Sequence, residues 1–333
     1  MNINGFINIK KQIIISIIIL IAALIFARYF LVTRSNAKME NRSESTNYKL
    51  LNEKGYPSMF MQTDQSELTF YLKITPDIKS PYPVLFTIFM NGRQIECLWD
   101  IDTNYTDLYY TTINPNEDRL IKITVINIPK GLNTLQFGTV QSPNKIDFKE
   151  EELFNEQYSL NLTPFTIVRD DIMNWSEKSI FNDYNQPSII NKNMSVGMSG
   201  VLCFSKNDLV LDLISNVNEH KEIYYYWQNT DKITRKVRFS LLIDWKQVPW
   251  PTGDWFVDVS VSPGDIFCKD LLLSEIVKNE TNQLSVVAFI DPDRSFWYFD
   301  KNDLKANHYG VLSYATLKNI ILINSTYSDK SGS

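Results

Sequence analysis

The chain has 333 residues, 44% of them hydrophobic and 13% aromatic, with 17 Tyr and 19 Phe against only 11 Gly, and a formal net charge of −5. That is a packing composition with enough length for about two domains, which excludes a disordered or fibrous chain. Lys and Arg are scattered within an acidic balance, so no basic stripe is present to follow a phosphate backbone, and nucleic acid is excluded as a partner.

A short tail, residues 1–11, ends in Lys10 and Lys11. It leads into IIISIIILIAALIFARYFLV from Ile13 to Val32, in which only Ser16 and Arg28 interrupt the aliphatic and aromatic run. About twenty residues at ~1.5 Å rise match a ~30 Å hydrocarbon core, so the segment 12–32 is predicted to cross a membrane as one helix. Arg28 lies close enough to the far end to snorkel, and Tyr29 suits an interfacial anchor. Ile25-Phe26-Ala27 is a poor signal-peptidase site, so the segment reads as a retained signal anchor in contact with membrane lipid. Arg34, Lys38 and Arg42 follow it and count against export by the positive-inside rule. Long domains translocate largely regardless of charge, however, and the expected topology is N-terminus inside, C-terminal domains extracytoplasmic, in a single-pass protein of the cell membrane.

Residues 33–57 are polar, rich in Ser, Asn and charge, and read as a stalk. From residue 58 the apolar period becomes two. ELTFYLKI (67–74), YPVLFTIFM (82–90), RQIECLW (93–99), RLIKITVINI (119–128), LNTLQFGTV (132–140) and YSLNLTPFTIV (158–168) are strand-like runs separated by turn residues. They delimit a first β-domain, 58–168. Asn91-Gly92 between apolar strands predicts a type I′ hairpin, because both central residues need φ > 0.

The hairpin has an echo. FTIFMNGRQIEC (86–97) returns as FSLLIDWKQVPW (239–250); SELTFYLKI (66–74) parallels HKEIYYYWQ (220–228), and IPKGLNTLQF (128–137) parallels IVKNETNQLSVVAF (276–289), in the same order. Three anchors in register indicate an internal duplication. The second β-domain is placed at 200–327 after an interdomain segment at 169–199, and residues 328–333 form a flexible tail. In the echo Asp244-Trp245 replaces Asn-Gly, which predicts a longer or bulged connection. The fold class is all-β, two tandem sandwiches after one membrane helix. Strand count and domain length resemble immunoglobulin-like or fibronectin-like domains.

Chemistry is sparse. No phosphate-cradling glycine loop, no nucleophile elbow and no H-E-x-x-H occurs, and His220 and His308 stand alone. No catalytic, cofactor or metal residue is therefore assigned. Asp100 to Asp107 (DIDTNYTD) spaces oxygens as a calcium loop does, but Tyr105 stands where such a loop needs Gly. Cys203 and Cys268 are left as a disulfide or as two buried thiols. The candidate ligand or partner surface is DWKQVPWPTGDWF, which places Trp245, Trp250, Trp255 and Phe256 among turn residues where rings could stack on a sugar. Pro249 and Pro251 exclude Trp250 from a fully paired strand, which favours an edge or loop and supports an exposed ring; the competing reading is that Trp255 and one other ring of the segment are core or sheet-edge packing. The expected function is non-enzymatic: a membrane-anchored display of two β-domains that bind a protein partner or a cell-envelope component. The alternatives are a carbohydrate-binding envelope protein using 245–256, and a hydrolase or hydrolase subunit with Asp170, Asp171 and Asp254 meeting between the domains. The Ile-, Asn- and Lys-rich composition suits an AT-rich bacterial genome.

Overall fold

The computed structural model describes residues 45–100, 102, 104–141, 143, 160–170, 200–203, 214–216, 222–272, 281–292, 298–300, 303–307 and 320–323. The expected membrane helix 12–32 and the tail 328–333 lie outside the described residues, as does nearly all of 169–199. Among the described residues no helix is long and apolar enough to cross a membrane, and all regular structure is β. The chain divides into two compact units, Met1–Thr46 and Asn47–Ser333, and both expected β regions fall within the second.

In chain order the first strands are β1 (Ser45–Leu51), β2 (Phe60–Thr63), β3 (Leu68–Asp77), β4 (Tyr82–Met90), β5 (Arg93–Gln94), β6 (Cys97–Trp99), β7 (Tyr105–Thr106), β8 (Tyr109–Ile113), β9 (Arg119–Val125), β10 (Gly131–Gln141) and β11 (Leu160–Arg169). Then follow β12 (Val201–Cys203), β13 (Ile214–Asn216), β14 (Glu222–Gln228), β15 (Arg235–Ile243), β16 (Lys246–Val248), β17 (Val257–Val261), β18 (Ile266–Leu272), β19 (Thr281–Ile290), β20 (Tyr298–Asp300), β21 (Asp303–Asn307) and β22 (Ile320–Ile323). One sheet runs β1-β3-β9-β6-β7 and a second β2-β11-β10-β4-β5, with β8 also on β4. A third runs β12-β14-β18 and a fourth β13-β22-β19-β15-β16, with β17 also on β15. The second and fourth sheets have the same plan, down to a short first strand that joins its neighbour in parallel, β2 on β11 and β13 on β22. The three sequence anchors fall on equivalent strands, β3 with β14, β4–β5 with β15–β16, and β10 with β19.

Period-two patterning builds the inner layers. In β3, Leu68, Phe70, Leu72 and Ile74 are buried at alternate positions, and Phe70 faces Ile123 while Leu72 faces Ile121 across the ladder to β9. Each half is organised around one phenylalanine in its core. Phe86 has Tyr48, Trp99, Tyr109 and Phe137 within 5.5–6.5 Å, and Phe239, 153 positions later, has Tyr225, Trp227 and Phe267 within 4.7–5.9 Å. Burying each such side chain contributes roughly 1.5–3 kcal/mol, which offsets the entropy of ordering the strands.

β4 and β15 are buried on both faces, so their sheets have a second apolar layer. Leu85, Phe89, Val140 and Leu160 from the first half join Leu242, Trp245, Val287 and Phe289 from the second in one buried cluster. Phe89 and Phe289 meet with ring centroids 5.5 Å apart. The halves are thus packed face to face through their β4 and β15 sheets.

Three expectations need correction. Residues 45–57, expected within the stalk, hold β1 and a turn closed by Asn52, whose Oδ1 accepts the N–H groups of Lys54 and Tyr56. A polar edge strand with only Tyr48, Leu50 and Leu51 turned inward resembles a stalk in composition. Run 93–99 is two strands, because Ile95 and Glu96 carry the chain from the β4 sheet to the β9 sheet. Asp244-Trp245 forms neither a longer nor a bulged connection: Ile243 pairs with Lys246, and φ is 50° at Asp244 and 70° at Trp245, matching 54° at Asn91 and 83° at Gly92.

Candidate functional site

The Trp-rich segment does not assemble an exposed platform. Trp245 is 4% exposed and lies in the cluster between the halves. Trp250 is 1% exposed in the second core, where its Nε1–H donates to Phe239 O at 3.2 Å. The flanking prolines do place Trp250 in a turn, closed by Trp250 N–H to Asp254 O at 2.8 Å, but that turn folds its ring inward. Phe256 is half-buried under the Arg238 guanidinium, 4.3 Å from the ring centroid. Trp255 alone of the four is open to solvent, at 41%, with Arg93 Cζ 5.1 Å from its ring centroid.

The segment builds an interlock instead. Gln94 N–H donates to Gln247 Oε1 at 2.7 Å, and Gln247 N–H donates to Gln94 Oε1 at 2.6 Å. These glutamines hold matching positions on β5 and β16 of the two sheets that share a plan, so the exchange marks a local two-fold relation between the hairpins. Arg238 binds Asp258 through two bonds, Nε to Oδ1 at 2.7 Å and Nη2 to Oδ2 at 2.6 Å, and its Nη1–H donates to Asn91 O at 2.8 Å. Both side chains of this pair are buried, so the paired geometry and the added carbonyl offset the desolvation of two charges. Ser240 Oγ–H donates to Gly92 O at 2.8 Å. Gly92 is required here twice over: its φ is +83°, and a Cβ would sit 2.6 Å from Arg238 Cδ.

The other sequence candidates are held by ordinary structural contacts. Asp100 pairs with Arg119 at 3.1 Å and Asp107 with Lys246 at 3.1 Å, so two of the three carboxylates in the segment Asp100 to Asp107 already face cations. Among the described residues no cluster of metal-ligating side chains occurs. Asp170 pairs with Lys130 at 3.4 Å, whereas Asp171 lies outside the described residues. Cys203 and Cys268 are buried thiols. They lie on β12 and β18, either side of β14, at about two strand spacings or ~10 Å, which exceeds the ~4.4–6.8 Å Cα separation of a disulfide. Cys97 is also a buried thiol, and burial, with Glu96 nearby, pushes its pKa up and makes it inert as a nucleophile.

One feature absent from the sequence reading is a recess beside the first core. A recess of about 210 Å³ lies between β1 and β11 in the first half, with Tyr48, Leu50, Pro57 and Met59 as apolar walls, Lys49, Ser58 and Thr163 as polar ones, and the buried side chains of Leu72 and Phe137 behind it. On β11 the side chains of Phe165 and Ile167 are buried in the inner core, while Asn161 and Thr163, on the same face by strand parity, are exposed. The sheets therefore part at this end. β2 covers only Thr166–Arg169 of the β11 edge, which leaves the rest of that edge bordering the pocket. No alternation in the sequence marks this place, because the lining residues come from four separated strands and the connection before β2.

No known family and no curated protein matches the sequence. Among solved structures, the CARDB domain of a Pyrococcus furiosus protein, in complex with di-metal ions, is 7% identical, covering 38% of this chain and 89% of its own, at a TM-score of 0.25. The CsuC–CsuE chaperone–tip adhesion subunit pre-assembly complex of Acinetobacter baumannii Csu pili is 10% identical over 83% of this chain and 98% of that one, at 0.24. The Escherichia coli chaperone DraB is 9% identical over 74% and 92%, also at 0.24. At these TM-scores the likeness carries no argument about ligand, activity or partner.

Proposed function

We propose that this is a non-enzymatic, single-pass membrane-anchored protein that displays two β-sandwich domains outside the membrane and binds a protein partner or a cell-envelope component. The apolar segment 12–32 supports the anchor, and the duplicated sheet plan supports the tandem domains. The observation that carries the binding role is a half-open recess of about 210 Å³ at the end of the first sandwich, with Tyr48, Leu50, Pro57 and Met59 as walls and Lys49, Ser58 and Thr163 as polar groups around them. Leu72 and Phe137 behind it are themselves buried, so a ligand meets the walls and rim of the recess, and an apolar recess with a polar rim is the ordinary form of a binding site.

Two measurements test the reading. A C-terminal reporter that works only outside the cytoplasm should be active, and activity of a cytoplasm-only reporter in its place would refute the topology. In cells, a photo-reactive residue at Thr163 should give an adduct that the same residue at Lys122, on the exposed face of β9, does not give. Equal labelling from both positions refutes the site.

A further inference from the structure

Asn91-Gly92 carries a reaction of its own. The nitrogen of a glycine, unhindered by a side chain, can attack the carboxamide of the asparagine before it. The Gly92 N to Asn91 Cγ bond forms, the Cγ to Nδ2 bond breaks, and ammonia leaves with the proton from the glycine nitrogen. Water then opens the cyclic imide to aspartate, or to isoaspartate, whose main chain runs through the side-chain carbon. The fold holds this pair out of reaction. Asn91 Oδ1 accepts Thr134 N–H at 3.0 Å and Asn91 Nδ2–H donates to Asn133 Oδ1 at 3.0 Å, so turning the carboxamide toward the glycine nitrogen breaks both bonds. From the second half, Arg238 Nη1–H reaches Asn91 O and Ser240 Oγ–H reaches Gly92 O, each at 2.8 Å, and these fix the backbone of the turn. Gly92 itself is buried.

Neither product fits back into this turn. Asp244 stands at the matching position of the second half, and there the carboxylate is received: Oδ1 accepts Gln283 N–H at 2.8 Å and Oδ2 accepts Asn282 Nδ2–H at 2.7 Å. Asn133 matches Asn282, but its Nδ2 is committed to Pro129 O at 2.8 Å and Gly131 O at 3.2 Å, so its Oδ1 is what faces position 91. An aspartate at 91 would set oxygen against oxygen where the amide now donates. Isoaspartate lengthens the main chain by one carbon beside Gly92, where even an added Cβ would lie 2.6 Å from Arg238 Cδ.

We propose that Asn91-Gly92 is a deamidation site shielded by the pairing of the two halves, and that conversion of Asn91 by water in an opened chain bars the halves from pairing again. The test incubates the full chain in mildly alkaline, detergent-containing buffer with and without urea. Residue 91 is followed by mass spectrometry of its proteolytic peptide, which gains one mass unit and separates from that of Asn4-Gly5, the other such pair in the sequence. Without urea, conversion at 91 should be slower by roughly a hundredfold or more, since it must wait for opening. Gln247→Ala, which breaks the glutamine exchange, should raise that rate roughly tenfold. Ser240→Ala, which removes only the bond to Gly92 O, gives the same comparison if Gln247→Ala does not fold. Equal rates with and without urea overturn the shield. A rate that neither variant moves assigns the protection to the hairpin alone and overturns the part of the second half. Chains converted at 91 in urea and returned to buffer should unfold at a lower urea concentration than unconverted chains, and an unchanged midpoint overturns the bar to pairing.

Discussion

Trp245 sits where the first half has Gly92, in the same two-residue turn, and its φ of 70° is a conformation that disfavours bulky side chains. Removing the ring from a site 4% exposed should cost ~3–5 kcal/mol, the usual range for a buried Trp cut to Ala. Trp245→Ala bears that whole cost, since Ala keeps the Cβ that makes the left-handed region unfavourable. Trp245→Gly relieves about 1–2 kcal/mol of it, leaving a net loss of roughly 1–4 kcal/mol. The expected order of stability is wild type, then Gly, then Ala, an inversion of the order at an ordinary buried site. Urea unfolding of the fragment Ser45–Ser333, followed by far-ultraviolet circular dichroism, measures all three midpoints. Equal loss in the two variants would refute the left-handed turn at 245, and no loss in either would refute the burial of the ring between the halves.

Arg238→Met alone should destabilise the same fragment by about 3–5 kcal/mol, because Asp258 is then left buried and uncompensated, whereas Arg238→Met with Asp258→Leu should recover most of the loss; a mild single variant would contradict the buried pair. Gln94→Ala and Gln247→Ala should each cost ~1–3 kcal/mol by leaving a partner N–H unpaired, and the double variant should cost less than their sum, as a double-mutant cycle in urea would report. Tyr224 donates to Glu222, and that bond, followed by burial and nearby negative charge, pushes its pKa up to about 12. Because the folded value is raised, any stability it contributes is complete below pH ~10 and is lost as pH rises through about 12. Ultraviolet difference titration should show one tyrosine returning toward ~10 in Glu222→Gln, and an unchanged titration would refute the contact.

Much of the plan is legible in the sequence because burial on one face leaves a period of two. β4 is read to the residue, and the Asn91-Gly92 turn follows from backbone sterics alone. What escapes detection is governed by surroundings. β1 is missed because an edge strand needs few inward residues, and Tyr48, Leu50 and Leu51 sit among Ser, Asn and Lys. Trp250 is placed correctly in a turn, but the choice between an exposed and a core ring is not legible, since two prolines fix the local backbone and say nothing about which way the turn packs. The contact between the halves does leave a trace. Leu85 and Phe89 occupy the face of β4 that an open sandwich would give to polar residues, a sign that both faces are covered. The pocket leaves no trace, because a cavity is set by how sheets diverge and not by any one strand.

The shared plan of the two halves also raises a problem of pairing that their asymmetries resolve. Two identical faces joined by a two-fold exchange such as Gln94 with Gln247 would match themselves as well as each other, and separate chains could then associate through like halves. Position 238 carries Arg where the first half has Leu85, and position 245 carries Trp where the first half has Gly92. In the observed pairing Arg238 crosses Gly92, whose missing Cβ leaves the room, and Leu85 joins Trp245 in the shared cluster. Two first halves would set Leu85 against Gly92 and leave a void where the indole belongs. Two second halves would set Arg238 against Trp245, where a Cβ 2.6 Å from the arginine stem has no space. Each like pairing loses either packing or room, so the first half selects the second, and specificity comes from what the wrong partners cannot accommodate.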